Sequence, residues 1–318
     1  MKSKSELRNI LEKAFLALVL LFLGRYLYKN YESFRALDLT LNAGALAAAV
    51  FMHFIYKFMQ ASLWHYITWM NGCAIRWRNA VWAYFYSILG KYIPGKVFML
   101  LARIPAYEEA GVPARKVTVC FFLENICTLL GAAFLFIASL QFFPNQILGQ
   151  YKGATLALIA AFVVCIHPRV INCVLRPLEQ LLKKDLKVSI SYPQMLSVVF
   201  LFVLNWIVLG FGFYMLTCSI YPLSMSRFLY VSGIFGLSVI IGILAVFAPS
   251  GLGVREGIIV LGLGAVMPQE YAVIVSVVSR IWMTLSELSV IGVAWCMEHL
   301  WNLRDKCPED RGQKGLKD

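Results

Sequence analysis

The chain has 318 residues, of which 60% are hydrophobic and only 14% charged, and its mean hydropathy is +0.72. A soluble domain carries about 25% charged residues, so the composition excludes a soluble globular protein and indicates a polytopic membrane protein. The formal charge of +12 does not indicate nucleic acid, because the basic residues flank apolar segments, where they orient spans.

A helix needs about 20 apolar residues to cross a hydrocarbon core of roughly 30 Å. Windows of that kind lie near Phe15–Tyr28, Ala45–Trp69, Val117–Phe143, Thr155–Val174, Leu196–Cys218 and Val273–Met297. They predict six full spans in an all-α membrane protein. Lys2, Lys4, Arg8 and Lys13 put the N-terminus in the cytoplasm, and Arg76 and Arg78 mark a return there. Arg169, Arg176 and Lys183 to Lys187 mark a third cytoplasmic segment, and the tail from Arg304 to Lys317 a fourth. The first apolar run lacks a small-residue cleavage site and reads as a retained span. The expected organisation is one transmembrane domain over 1–300 and a cytoplasmic tail over 301–318.

Two apolar segments are broken by proline and glycine. The first break is Gly90-Lys91-Tyr92-Ile93-Pro94-Gly95-Lys96, and the second is Pro249-Ser250-Gly251-Leu252-Gly253-Val254-Arg255-Glu256. In each case an apolar helix with an embedded ion follows, Glu124 at 30 residues after Pro94 and Arg280 at 31 after Pro249. Matched spacing of this kind predicts an inverted repeat of re-entrant hairpins, about 81–101 and about 229–263, inserted from opposite faces with their tips meeting near the midplane. The basic clusters agree with that topology only if these segments turn back. Kinked full spans are the alternative.

Proline removes a backbone donor and glycine a side chain, so each break leaves free amides and carbonyls at membrane depth. Such groups are tolerated there only inside protein or along a wet cavity. A helix that restarts at a break presents amides and a positive dipole end to an anion. Lys96, Arg103, Arg255 and Arg280 supply full positive charge nearby, with Glu124 and Glu256 as counter-charges. The expected pairs cross the repeat interface: Glu124 with Arg255 or Arg280, and Glu256 with Arg103 or Lys96. Such pairs either hold the hairpins together or rearrange around an anionic head group. His53 and Lys57 share a helical face, and Lys57 either snorkels or serves the site; Asn205 reads as helix-to-helix glue. The aromatic stretches Phe51–Tyr56, Trp64–Trp69 and Trp82–Tyr86 read as interfacial belts or as the lining of an acyl-chain groove.

Motifs for catalysis are missing. The eight cysteines form no Cys-x-x-Cys, the four histidines no zinc spacing, and no phosphate-cradling Gly-rich loop or nucleophile elbow occurs. The expectation is a protein that is no enzyme, with no cofactor, no metal and no nucleic-acid partner.

The Gly90 to Lys96 break with Arg103 and Gly111, the Glu124 helix, and the run Pro249 to Gly257 with Arg280 resemble the lysylphosphatidylglycerol synthase transmembrane-region family. The resemblance covers roughly Leu11 to Leu300. It implies a domain in a bacterial or archaeal cytoplasmic membrane that moves an anionic, aminoacylated, polyprenyl-linked or glycosylated lipid between leaflets. Synthases of the family also carry a soluble transferase domain, and only about 20 polar residues follow the last span here, too few for one. A separate transferase is therefore a candidate partner. The alternatives are a non-catalytic subunit that presents lipid to a glycosyl- or aminoacyl-transferase, and an enzyme acting on a lipid phosphate.

Overall fold

The computed structural model describes residues 41–92, 97–142, 157, 166–170, 172–173, 176, 190–244, 251 and 253–305. Every regular element among them is helical. In chain order these are α1 (Ala43–Met70), α2 (Trp77–Ile88), α3 (Val97–Glu108), α4 (Ala114–Ser139), α5 (Tyr192–Ile220), α6 (Phe228–Leu244), α7 (Val254–Leu263) and α8 (Gln269–Asp305). Short 3-10 turns follow α2 and α4 and precede α6.

Local signals set the helix ends. Asn42 accepts the amide of Ala45 at 3.0 Å to start α1, and Ser191 forms a capping box with Gln194 at the start of α5. Among the described residues five helices are long and apolar enough to cross a membrane: α1, α4, α5, α8 and the stretch Met225–Ile243, which covers all of α6 but its last residue. The first four coincide with the windows at Ala45, Val117, Leu196 and Val273. The Phe15–Tyr28 window lies outside the described residues and Thr155–Val174 largely so. Helix α8 continues past residue 300 to Asp305.

On either side of each break lie two helices that pack on one another. α2 and α3 have 12 residues each, about 18 Å, too short for either to cross the core alone. They pack on one another, and the chain closes so tightly that a Cβ on Gly90 would stand 2.6 Å from the Met99 nitrogen. In the second hairpin α7 folds back on α6. A Cβ on Gly251 would stand 2.8 Å from the Gly242 Cα, and Gly251 and Gly253 hold φ of +68° and +80°. L side chains rarely adopt that left-handed region, so both the crossing and the turn call for glycine. Pro94, Gly95 and Pro249, and with them the tips of both hairpins, lie outside the described residues.

The buried side chains form two apolar cores. One joins α2 and α3 to the C-terminal half of α1, the N-terminal halves of α4 and α5, and Val290 and Ala294 of α8. The other gathers the opposite halves of α1, α4 and α5 with α6, α7 and the N-terminal half of α8. The two hairpins therefore pack at opposite ends of the long helices. Polar residues interrupt the apolar run where the cores meet: Lys57 and Gln60 between Tyr56 and Ala61, Asn205 between Val203 and Trp206, Glu287 between Trp282 and Val290.

Candidate functional site

Lys57, Glu124, Asn205 and Glu287 each fall within about five residues of the middle of their candidate span, roughly 7 Å along the axis. An ion at that depth costs about 2.5 to 3.5 kcal/mol on insertion scales, so each needs a partner or water. The partners differ from those expected. Arg103 pairs with Glu124, and Arg280 with Glu256. Each bridge thus joins the helix after a break to the next helix in the chain, α3 to α4 and α7 to α8, and neither crosses from one broken segment to the other. The physical reason is reach: the arm and the following helix are packed neighbours, α3 on α4 and α7 on α8, so the shortest charge-to-charge path stays within the unit. The order of charge is reversed, cation then carboxylate in the first unit and carboxylate then cation in the second.

The first bridge is closed. Arg103 and Glu124 are 1% and 3% exposed. The Arg103 Nε donates to Ser87 Oγ at 2.9 Å, and its guanidinium carbon lies 4.2 Å from the Trp64 ring centre, 4.5 Å from Tyr84 and 5.3 Å from Phe121. Three aromatic faces replace part of the hydration the guanidinium gave up. Trp64, expected in an interfacial belt, is instead fully buried as a wall of this cage.

The second bridge is more open, with Arg280 and Glu256 side chains 18% and 14% exposed. Glu256 has two duties: it pairs with Arg280, and its Oε2 accepts the Gly253 amide at 2.9 Å. The carboxylate thereby fills the N-terminal end of α7 that the sequence offered to an external anion. Arg255, one residue earlier, has no carboxylate partner among the described residues. One of its amino groups lies 3.3 Å from the Met283 sulfur, its guanidinium carbon lies 5.6 Å from the Phe235 ring centre, and its Nε is buried without a hydrogen-bond partner. Its side chain passes directly over Gly242.

A third bridge was missed. The Lys57 Nζ donates to Glu287 Oε1 at 2.9 Å, joining α1 to α8, and at 6% exposure Lys57 does not snorkel. This bridge lies between the two units. The Lys57 Nζ also lies 5.2 Å from the Tyr56 ring centre. His53 packs edge-on against Tyr56 and Trp282, with ring centres at 5.6 and 5.0 Å. Asn205 is buried, yet its carboxamide oxygen has no hydrogen-bond partner, which does not fit the glue role expected of it. Lys96 lies outside the described residues. No group of three or more His, Cys, Asp or Glu that could hold a metal occurs among the described residues.

The described interior is thus a helical scaffold with ion pairs midway along its long apolar helices, the arrangement of an integral, multi-pass membrane protein. The chain belongs to the family described as Lysylphosphatidylglycerol synthase TM region, whose profile matches residues 9–286. No curated protein matches it.

Proposed function

We propose that this protein carries a lipid with an anionic or aminoacylated head group between the leaflets of a cytoplasmic membrane, without chemistry of its own, and with both termini in the cytoplasm. The observation that carries the reading is a charge surplus at mid-depth. Among the described interior residues four cations, Lys57, Arg103, Arg255 and Arg280, stand against three carboxylates, Glu124, Glu256 and Glu287. A cation held in place by a thioether and an aromatic face gains a great deal from a phosphate oxyanion, because charge-assisted bonds are about twice as strong as neutral ones.

In this reading Arg255 receives the phosphate, and the more open Arg280–Glu256 bridge exchanges partners around it. Arg103 and Glu124 act as the fixed brace of the first hairpin. Lys96, at the first break, is a second cation along the path. The hairpins insert from opposite faces, so each half of the cycle exposes the site to one leaflet.

Reconstitution in vesicles with fluorescent phosphatidylglycerol, neutral phosphatidylcholine and lysyl-phosphatidylglycerol, read by dithionite quenching of the outer leaflet, tests this. Wild-type protein is expected to move the charged lipids, and Arg255→Ala or Glu256→Ala to abolish the movement at near-normal expression. Undiminished movement in both variants removes these residues from the site. If wild-type protein moves no lipid but retains one head group through purification, the chain presents lipid to a separate transferase. Lipid-phosphate hydrolysis by wild-type protein that is lost in Glu256→Gln makes it an enzyme.

A further inference from the structure

Two buried carboxamides carry oxygens that accept no hydrogen bond among the described residues, Asn205 Oδ1 and Gln60 Oε1. The residues are 1% and 7% exposed. A buried acceptor without a donor is destabilising, so a protein that keeps two of them calls for a physical reason.

The packing of the long helices places both beside the Lys57–Glu287 bridge. A Cβ on Gly212 would meet Ala49 and Met52 of α1 and Trp282 of α8, each within 3.4 Å. Asn205 lies two turns earlier on the same face of α5. The Asn42 amide donates to the Ser219 carbonyl, so residue numbers fall along α5 as they rise along α1. Two turns on from Ala49 and Met52 is the stretch Tyr56 to Met59, which holds Lys57. Gln60 follows Lys57 by three residues on one face of α1.

Unpartnered donors gather on the α7 side of this point. The Trp282 Nε1 and Arg255 Nε are buried without a hydrogen-bond partner among the described residues. Both side chains flank Phe235, whose ring centre lies 6.4 Å from the Trp282 ring and 5.6 Å from the Arg255 guanidinium carbon. An Arg255 amino group lies 3.3 Å from the Met283 sulfur, and Met283 precedes Glu287 by one turn, about 6 Å.

A phosphate oxygen only accepts, and so suits the donors of Arg255 and Trp282. The carboxamide oxygens call for a group that donates. An ammonium is disfavoured there, because Glu124, Glu256 and Glu287 each face a cation already and Lys57 lies within a turn of both carboxamides. A hydroxyl donates without adding charge.

We infer that this arrangement reads a head group in which a phosphate is joined to a hydroxyl-bearing unit, glycerol or a sugar. Arg255 and Trp282 take the phosphate, and Asn205 and Gln60 accept from the hydroxyls. The inference rests on the reading that an anionic lipid enters the interior, and it narrows that cargo to a polyol in place of an aminoacylated head group.

Phosphatidylglycerol and phosphatidylinositol are compared with phosphatidylethanol, which has the same single negative charge and no hydroxyl, and with lysyl-phosphatidylglycerol. Binding to the full chain in detergent is read by native mass spectrometry, and movement by dithionite quenching in vesicles. Wild-type protein is expected to bind a hydroxylated lipid about fivefold more tightly than phosphatidylethanol, the worth of one hydrogen bond. The better of phosphatidylglycerol and phosphatidylinositol tells glycerol from a ring. Asn205→Leu and Gln60→Leu are each expected to reduce the preference towards none. Neither strands a partner, so both should keep the wild-type unfolding temperature; if one fails to fold, the other decides. Equal binding of phosphatidylethanol by wild-type protein overturns the inference, as does tighter binding of lysyl-phosphatidylglycerol than of phosphatidylglycerol. A preference that survives both substitutions overturns it in favour of carboxamides that hold only ordered water. Movement of every charged lipid without preference overturns it and spares the proposed transport, whereas selective binding without movement does the reverse. Binding of none of these lipids overturns both.

Discussion

The guanidinium of Arg103 is held by Glu124, by Ser87 at 2.9 Å and by the faces of Trp64, Tyr84 and Phe121, and this changes what its loss should do. Glu124→Gln leaves a buried guanidinium uncompensated, and removing one partner of such a pair costs about 3 to 5 kcal/mol. Thermal unfolding in detergent should show a large drop for Glu124→Gln and a clear recovery in the double variant Arg103→Met, Glu124→Leu, in which no charge is stranded. Arg103→Lys should not rescue function, because a compact ammonium can neither fork to two oxygens nor stack on rings. At Gly242 the neighbour is the Arg255 side chain, and any Cβ would press into its methylenes. Gly242→Val is expected to lower stability by about 1 to 3 kcal/mol and to impair lipid movement, since displacing Arg255 disturbs a cation that has no carboxylate partner among the described residues. Sequence alone singled out Arg103, Glu124, Arg255, Glu256 and Arg280, because an ion inside an apolar run is conspicuous. It gave the wrong partners for them, since a long side chain reaches several positions and only packing decides among them.

At the scale of elements, glycine and proline marked in advance where α2 gives way to α3 and α6 to α7, and α1, α4, α5 and α8 followed from apolar length. The helices extend a few residues beyond the predicted windows, except at the C-terminal end of α4, which stops at Ser139; the polar first and last turns are still hydrogen-bonded although hydropathy has fallen. The first hairpin begins at Trp77, earlier than position 81, for the same reason. If the hairpins insert from opposite faces, residues at the open end of each should share one side of the membrane. In a cysteine-free background, Ala74→Cys and Ala110→Cys, exposed at the open end of the first hairpin, are expected to react with an impermeant maleimide from the same side. Ser226→Cys and Ala265→Cys, at the open end of the second, should react from the other. Labelling of Ala74→Cys and Ala110→Cys from different sides would mean that the first segment crosses.

Across the whole molecule, the Lys57–Glu287 bridge is a direct ionic tie between α1 and α8, and through them between the two apolar cores. No sequence signal could have revealed the pairing: the residues are 230 apart, and Lys57 by itself reads equally well as a snorkelling side chain. Glu287→Gln is expected to raise amide hydrogen exchange in the middle of both α1 and α8 while leaving α2 and α3 protected, because their hairpin is braced separately by Arg103. A rise confined to α8 would show that the bridge is local. The surplus of cation over carboxylate likewise belongs to this scale, being a property of seven side chains from five helices and of none of them alone.

Glu256 joins two of these scales, since one carboxylate both terminates the second turn at Gly253 and neutralises Arg280. Any oxyanion that competes for Arg280 must loosen a peg that also fastens the backbone, and so the arrival of cargo would be converted directly into slack at the corner where the chain reverses.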